Sequence, residues 1–415
     1  MQPEALGRLD HLTFKGNLRQ TRYGWLRLTP AYSVHLVADL LERHATAETT
    51  LLDPYCGTGT TALVCAERGV RCDTTDINPF LLWLARAKTV SYSARDRRAF
   101  VLRAALIAKQ ARRASGPAPW TPPIHQIEKW WSAPALSAIG RVMAGIRSVE
   151  EDTPTPAIDL LEVAFCRTMI AHANVSFGHQ SMSFKKAADR GDDRDVDVAA
   201  TWEQSVVEIA DAAASEIRAV PSPILCDARD LRAKLDRDRY GCVITSPPYP
   251  NRMSYIRELR PYMYWLGHLK DGRAAGELDW QAIGGTWGCA TSNVAKWTPE
   301  VAASIPYDGF DDITARIAET SKVLGRYVEK YFHDMVAHCR SLFAVVAPGG
   351  TVHYIVGNSK FYDVMLPVEQ IFAAMFESAG FEDAKVETIR KRTSKKELFE
   401  FVVSARKPTR RGARR

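Results

Sequence analysis

Thr50-Leu51-Leu52-Asp53-Pro54-Tyr55-Cys56-Gly57-Thr58-Gly59-Thr60-Thr61-Ala62 joins a short apolar run to a helix-forming run through a glycine turn. The apolar run reads as a buried strand closed by Asp53-Pro54, and 57–68 reads as a helix opened by the turn. Residues 70–75 repeat the strand and 78–88 repeat the helix. That alternation predicts a parallel, doubly wound sheet. Glycines between strand and helix let the backbone approach a ligand closely, and the helix start offers unpaired N–H groups. Gly57-x-Gly59-x-x-Ala62 also fits the dinucleotide fingerprint, with Asp76 at the next strand end suited to a ribose diol. The loop alone leaves nicotinamide, nucleotide and S-adenosylmethionine cofactors open, along with a turn that binds nothing.

A second motif, Ser246-Pro247-Pro248-Tyr249, directly follows the apolar strand Cys242-Val243-Ile244-Thr245. Two prolines leave an extended, rigid backbone at the carboxyl edge of the sheet, where α/β proteins bind ligands. They also remove two N–H donors, so the motif presents acceptors: the Ser246 hydroxyl and the Pro247 carbonyl. Tyr249 adds a flat face. Two acceptors and an aromatic wall suit a planar base with an exocyclic amine. Hydrogen bonds from that amine draw its lone pair out of conjugation with the ring and toward an electrophilic methyl. A proline-rich strand cap is the bland alternative.

Together the motifs resemble those of the S-adenosylmethionine-dependent amino-methyltransferases of DNA. The family's cofactor motif reads D-P-F-x-G-x-G-T, with Tyr55 here in place of Phe. Its catalytic motif is [D/N/S]-P-P-Y, and the serine form is typical of cytosine-N4 enzymes. Trp25-Leu26-Arg27-Leu28-Thr29-Pro30, Asp76-Ile77-Asn78-Pro79, Cys226-Asp227-Ala228-Arg229 and Pro348-Gly349-Gly350 agree with the family's outlying segments. The resemblance spans roughly 20–90, 223–267 and 331–405. It implies a class I methyltransferase (Rossmann-like) α/β fold, doubly wound and mostly parallel, with two insertions, the larger mainly helical. It further implies S-adenosyl-L-methionine held by Asp53, Pro54, Tyr55, Gly57, Gly59, Thr60, Asp76 and Asp227, with Thr29 and Pro30 from the N-terminal segment. Ser246, Pro247, Pro248 and Tyr249 form the catalytic set.

The implied reaction methylates the N4 amine of a cytosine flipped out of double-stranded DNA, with Tyr249 stacking on the base. Ser246 orients the amine and water takes the proton, so positioning carries the catalysis. Methylation at carbon 5 uses a cysteine nucleophile, usually in a Pro-Cys pair, and the sequence has no such dipeptide. Adenine-N6 methylation of DNA and amino-methylation of tRNA stand beside this reading, as does a silent cofactor-binding module. The cofactor motif precedes the catalytic one, whereas the reverse order is common among cytosine-N4 enzymes. Restriction–modification or phage defence, with cognate restriction or defence proteins as partners, is the expected setting.

Outward from these motifs, the 415 residues divide into a cofactor half (1–90), a mainly helical insertion (91–222), a target-base half (223–269), a second insertion (270–330), a C-terminal part (331–405) and a basic tail (406–415). Either insertion is a candidate for target recognition. Helices are expected near 133–147, 157–172, 199–219, 255–266 and 366–379, with a long one ending near 346. Residues 270–318, rich in Gly, Trp and Thr, read as irregular. Hydrophobic residues at 46% and charged residues at 25% describe a globular chain. The net charge of +7 hints at an anionic partner. Six of the 55 cations lie in 406–415, however, leaving 49 against 48 acids elsewhere. Phosphate contacts must then come from local patches. The candidates are Arg95 and Arg98 in the arginine-rich 86–113, Lys185 and Lys186 in the polar 172–186, and Arg392 beside Lys391, Lys395 and Lys396. Solvated faces are their bland reading. The eight cysteines show no C-x-x-C spacing, which argues against a zinc ribbon or disulfide framework and fits a reducing cytoplasm. No metal, signal peptide or membrane span is expected.

Overall fold

The computed structural model describes residues 17, 21–28, 31–113, 118–176, 183–186, 197–251, 254–285, 289–299, 304–392 and 397–409. Seven strands make the central sheet: β1 (Thr50–Asp53), β2 (Arg71–Asp76), β3 (Ser222–Leu225), β4 (Tyr240–Thr245), β5 (Val346–Gly357), β6 (Glu382–Lys391) and β7 (Phe399–Arg406). Their spatial order is 3-2-1-4-5-7-6. β1 pairs in parallel with β2 and β4, β2 with β3, and β4 with β5. Only β7 runs antiparallel to its neighbours β5 and β6. This is the doubly wound, mostly parallel sheet expected of the class I methyltransferase fold. The winding reverses between β1 and β4, which opens a crevice at their carboxyl ends.

Strand side chains alternate between two packed faces, as a doubly covered sheet requires. Leu51, Cys242, Ile244, Ile355 and Val402 pack under α1 (Val34–His44) and α2 (Thr60–Arg68). Leu52, Val243, Tyr354, Val356, Phe401 and Val403 meet α12 (Lys322–Val345) and α13 (Val368–Ala379) on the other side. α3 (Pro79–Thr89) begins where the Asn78 side chain accepts the Phe80 N–H at 3.0 Å, with proline at the first helical position.

The segment after α3 folds as four helices. These are α4 (Ala94–Arg112), opened by a Ser93/Asp96 capping box, α5 (Ala133–Val149), α6 (Thr155–Ala171) and α7 (Val198–Ala212). Their core is continuous with α3 and with α8 (Tyr255–Trp265), and it centres on Trp131, Trp202 and Trp265. Arg22 fastens this bundle to the sheet. The side chain is fully buried, and its guanidinium donates to the carbonyls of Lys88 (2.9 Å) and Val90 at the end of α3. It also donates to those of Ala213 (2.9 Å) and Ser215 (3.1 Å) beyond α7. These are the unpaired carbonyls that helix ends leave, and a cation suits the negative pole of each helix. Trp25 and Tyr92 flank it, at 5.7 and 5.1 Å from ring centroid to guanidinium carbon.

Residues 270–318 are not irregular as expected. They contain α9 (Gly272–Gln281), α10 (Cys289–Lys296) and α11 (Phe310–Thr320), which build onto α12. Asp271 caps α9 and Gly309, in the left-handed region, opens α11. Glycine acts there as a helix boundary, whereas composition alone suggests loop. β6 is a strand without a sequence signal. It lies at the sheet edge with no fully buried side chain, and its register with β7 shifts between Glu382 and Lys385 and between Thr388 and Arg390.

Candidate active site

The crevice between β1 and β4 brings the two motifs together. Asp53 ends β1, Thr245 ends β4, and the Thr245 hydroxyl donates to Asp53 Oδ1 at 2.6 Å. The same oxygen accepts the Tyr55 N–H at 3.1 Å, and Oδ2 accepts the Tyr32 hydroxyl at 3.3 Å. Asp53, counted among the cofactor ligands from sequence, is fully buried. Its carboxylate ties the glycine loop to the end of β4, just before Ser246.

Burial pushes the Asp53 carboxyl up to about 7 despite these bonds, and Asp76 up to about 6. An unfolded carboxyl titrates near pH 4. Between about pH 4 and 7 the folded protein therefore holds protons that the unfolded chain has released, and stability falls as pH rises. Asp53→Asn keeps an acceptor for Thr245 and Tyr55 but removes one titration. The urea midpoint should then depend less steeply on pH across that window. An unchanged slope would exclude Asp53 as its source.

Gly57 and Gly59 take left-handed φ values of 51° and 75°. A Cβ at Gly59 would also lie 3.1 Å from Ala85 Cα and Cβ. The loop needs glycine there on both counts, and the result is a backbone cradle before the start of α2 at Thr60. The Thr60 hydroxyl pairs with that of Thr58 at 3.1 Å. Asp76 accepts the Gly57 N–H at 3.1 Å and the Asn78 N–H at 2.9 Å, which fixes an acid beside the cradle. Lys88 is buried and its ammonium donates to the Thr58 carbonyl at 2.9 Å. Burial lowers it to about 8. Sequence counts it with the basic stretch 86–113, whereas it braces the loop from within.

Pro54 is buried, and Tyr55 sets its ring edge-on to His338, centroids 4.9 Å apart. His338 is pinned between the Ala228 carbonyl (2.8 Å) and the Tyr354 hydroxyl (2.6 Å). Burial lowers it to about 4, so the ring is neutral at physiological pH. Just past β3, Asp227 grips Arg229 through Nη2 at 2.6 Å and Nε at 3.0 Å. Arg229 also reaches Asp334 at 3.1 Å. Burial pushes the Asp227 carboxyl up, but Arg229 outweighs it and holds the group below its ordinary value.

In the Ser246–Tyr249 loop the Ser246 hydroxyl donates to the Ile355 carbonyl at 3.0 Å. Its one proton is spent there, so its lone pairs remain as acceptors. The Pro248 carbonyl takes the Tyr331 hydroxyl at 2.7 Å, while the Pro247 carbonyl has no partner among the described residues. Tyr249 is fixed at three points. Its N–H donates to the Tyr255 hydroxyl (3.0 Å) and its phenol to Glu400 (3.1 Å), and the Arg392 guanidinium lies over its ring at 5.3 Å. Arg392 thus stands inside the site, and not on the phosphate-facing surface expected of it.

Nearly the whole chain finds a counterpart among curated proteins. The type II methyltransferase M.AvaI of Nostoc sp. is 21% identical over 421 residues, covering 90% of this chain and 82% of the relative, and the M.AvaI of Anabaena variabilis matches equally. The chain is thus similar to a type II methyltransferase over most of its length. Solved structures give weaker likenesses. One is a protein of Thermus thermophilus described as a DNA modification methylase and complexed with S-adenosyl-L-methionine. It is 16% identical, covers 44% of this chain and 53% of its own, and has a TM-score of 0.23. The rRNA methyltransferase AviRa of Streptomyces viridochromogenes is 13% identical over 91% and 86%, with a TM-score of 0.28. At such scores the fold rests on strand order and not on these overlaps. No protein-family model matches the chain.

The remaining candidates lie on the helical insertion. Arg95 and Arg98 are exposed on α4, which packs against α5, α6 and α7. Other cations of that stretch are spent internally: Arg86 on Asp159, Arg103 on the Asp152 carbonyl and Arg112 on Glu203. Lys185 and Lys186 follow a two-stranded ribbon, Val175–Ser176 with Ser183–Phe184. Thr29, Pro30, Lys395, Lys396 and 410–415 lie outside the described residues. Among the described residues no cluster of three or more His, Cys, Asp or Glu is placed to hold a metal, and no helix is long and apolar enough to cross a membrane. Sequence reasoning missed Glu400, Tyr331, Tyr255 and the brace Lys88. Glu400, Tyr331 and Lys88 reach the site from other elements and Tyr255 from the helix that follows the loop, and no local pattern marks them.

Proposed function

We propose that the protein is an S-adenosyl-L-methionine-dependent nucleic-acid methyltransferase that modifies the exocyclic N4 amine of a cytosine flipped from double-stranded DNA. The observation that carries this reading is the Thr245–Asp53 hydrogen bond, which sets the glycine cradle and the Ser246 acceptor side by side at one switch point. The cradle that a Cβ at Gly59 would fill, the acid Asp76 beside it and the free N–H groups of α2 fit a nucleoside with a charged amino-acid end. Bound there, the cofactor supplies an electrophilic methyl group.

The protein's own part is positioning. Ser246 Oγ and the Pro247 carbonyl accept the two amine hydrogens and draw the nitrogen lone pair out of conjugation with the ring. Tyr249 stacks on the base. Ser246 takes no proton, since its hydroxyl is committed to Ile355 and its basicity is negligible, so water receives the proton. The helical insertion and α9–α11 are the regions we assign to target recognition. Relatedness to type II methyltransferases supports a modification role in a restriction system.

Incubation with labelled S-adenosyl-L-methionine and either duplex DNA or tRNA, followed by nucleoside digestion, tests this. N4-methylcytosine from DNA is expected. N6-methyladenine as the sole product sinks the cytosine assignment, and label in tRNA alone sinks the DNA assignment.

A further inference from the structure

Two side chains of the β6–β7 hairpin converge on Tyr249 from far along the chain. Glu400, opening β7, accepts the phenol proton through Oε1, and its Oε2 accepts Arg390 Nε at 2.7 Å. The Arg390 and Glu400 side chains are only 14% and 10% exposed. The Tyr249 phenol thus bonds to an acceptor that is already ion-paired, and a hydrogen bond to a charged acceptor is stronger than a neutral one. Arg392, two residues beyond Arg390, lies over the same ring and donates to the Asn358 carbonyl at 3.0 Å. Gly357, ending β5, makes this possible: a Cβ there would lie 2.6 Å from Arg392 Nη1 and 3.1 Å from Tyr249 Cε2.

We propose that Glu400 is the positioning residue of the base-stacking ring, holding the Tyr249 phenol end while the catalytic loop holds the other. This rests on the function proposed above. A tyrosine tethered only at its backbone must be ordered when the base arrives, whereas one fixed at both ends has already lost that freedom. The bond also makes the ring face more electron-rich, and such a face attracts a base that gains positive charge as its amine is alkylated. Arg390 contributes by fixing the other carboxylate oxygen, and Arg392 by resting on the ring.

Glu400→Gln, Tyr249→Phe and the double variant, each compared with wild type on duplex DNA, test the assignment. Single-turnover methylation at saturating DNA, cofactor affinity and 2-aminopurine fluorescence at the target position are the readouts. Each single variant should lose roughly ten- to a hundredfold in rate, the range for a hydrogen bond to a charged group. Both should raise 2-aminopurine fluorescence less than wild type, and cofactor affinity should hold. The double variant should be no slower than the slower single one, because both act on the same bond, Tyr249→Phe deleting it and Glu400→Gln removing the charge of its acceptor. Losses that multiply in the double variant, or a wild-type rate in Tyr249→Phe, overturn the proposal. Tyr249→Phe leaves the Arg390 pair intact, so it decides the matter even if Glu400→Gln does not fold. A wild-type protein that methylates no nucleic acid refutes the function, and that result is distinct from either outcome.

Discussion

Tyr249→Ala should cut single-turnover methylation by at least roughly 100-fold, since it loses about 1–3 kcal/mol of base stacking on top of the Glu400 bond that Tyr249→Phe already gives up, while cofactor affinity stays within about twofold. The ring lies on the target side of the site, between Glu400 and Arg392. The cofactor cradle depends instead on Gly57, Gly59, Asp76 and Lys88, none of which bonds to Tyr249. Removing the ring leaves Glu400 paired with Arg390, so no uncompensated charge is created to unsettle the fold. Rates on duplex DNA and equilibrium titration with the cofactor separate the two effects. If cofactor binding collapses along with turnover, the stacking face and the cradle are not separate parts, and the assignment of Tyr249 fails.

Arg22→Ala should destabilise the protein by on the order of 3–5 kcal/mol, read from the shift in urea midpoint. The guanidinium meets carbonyls at the ends of α3 and α7, and each buried carbonyl left without a donor costs roughly 1–3 kcal/mol. Arg22→Lys should recover little, because an ammonium has three donors and no planar fork with which to span two helix ends. Burial lowers the Arg22 group to about 10, so it remains charged at neutral pH and the helix-end interaction is present there. A loss below about 1 kcal/mol would mean that the apolar core of the bundle, and not the arginine, holds it to the sheet.

Backbone chemistry made the centre of this molecule readable. The glycines at 57 and 59 adopt φ values that only glycine takes freely, and the two prolines after Ser246 follow a strand that needs no further donor. Contacts across the chain left no such mark. Arg392 in the sequence is one cation among neighbours, and only the β5–β7–β6 pairing brings it over Tyr249. Lys88 looks like part of a basic surface, but the helical phase of α3 turns it inward to Thr58. The helices within 270–318 were hidden because Gly309 and Asp271 act as caps, which composition cannot separate from loop. β6 escaped notice because an exposed edge strand needs no apolar stripe.

The two ends of the sheet answer a question separate from catalysis. β3 is four residues long and carries Pro223, so it presents little backbone for another chain to join. β6 is longer, but its register breaks twice along ten residues and Lys385, Glu387, Arg390 and Lys391 punctuate it with charge. Short, proline-bearing, bulged and charged edges are how sheets avoid templating on one another. Growth of this sheet by strand addition is therefore closed off at both described edges, and crowding many copies together does not invite them to aggregate through their cores.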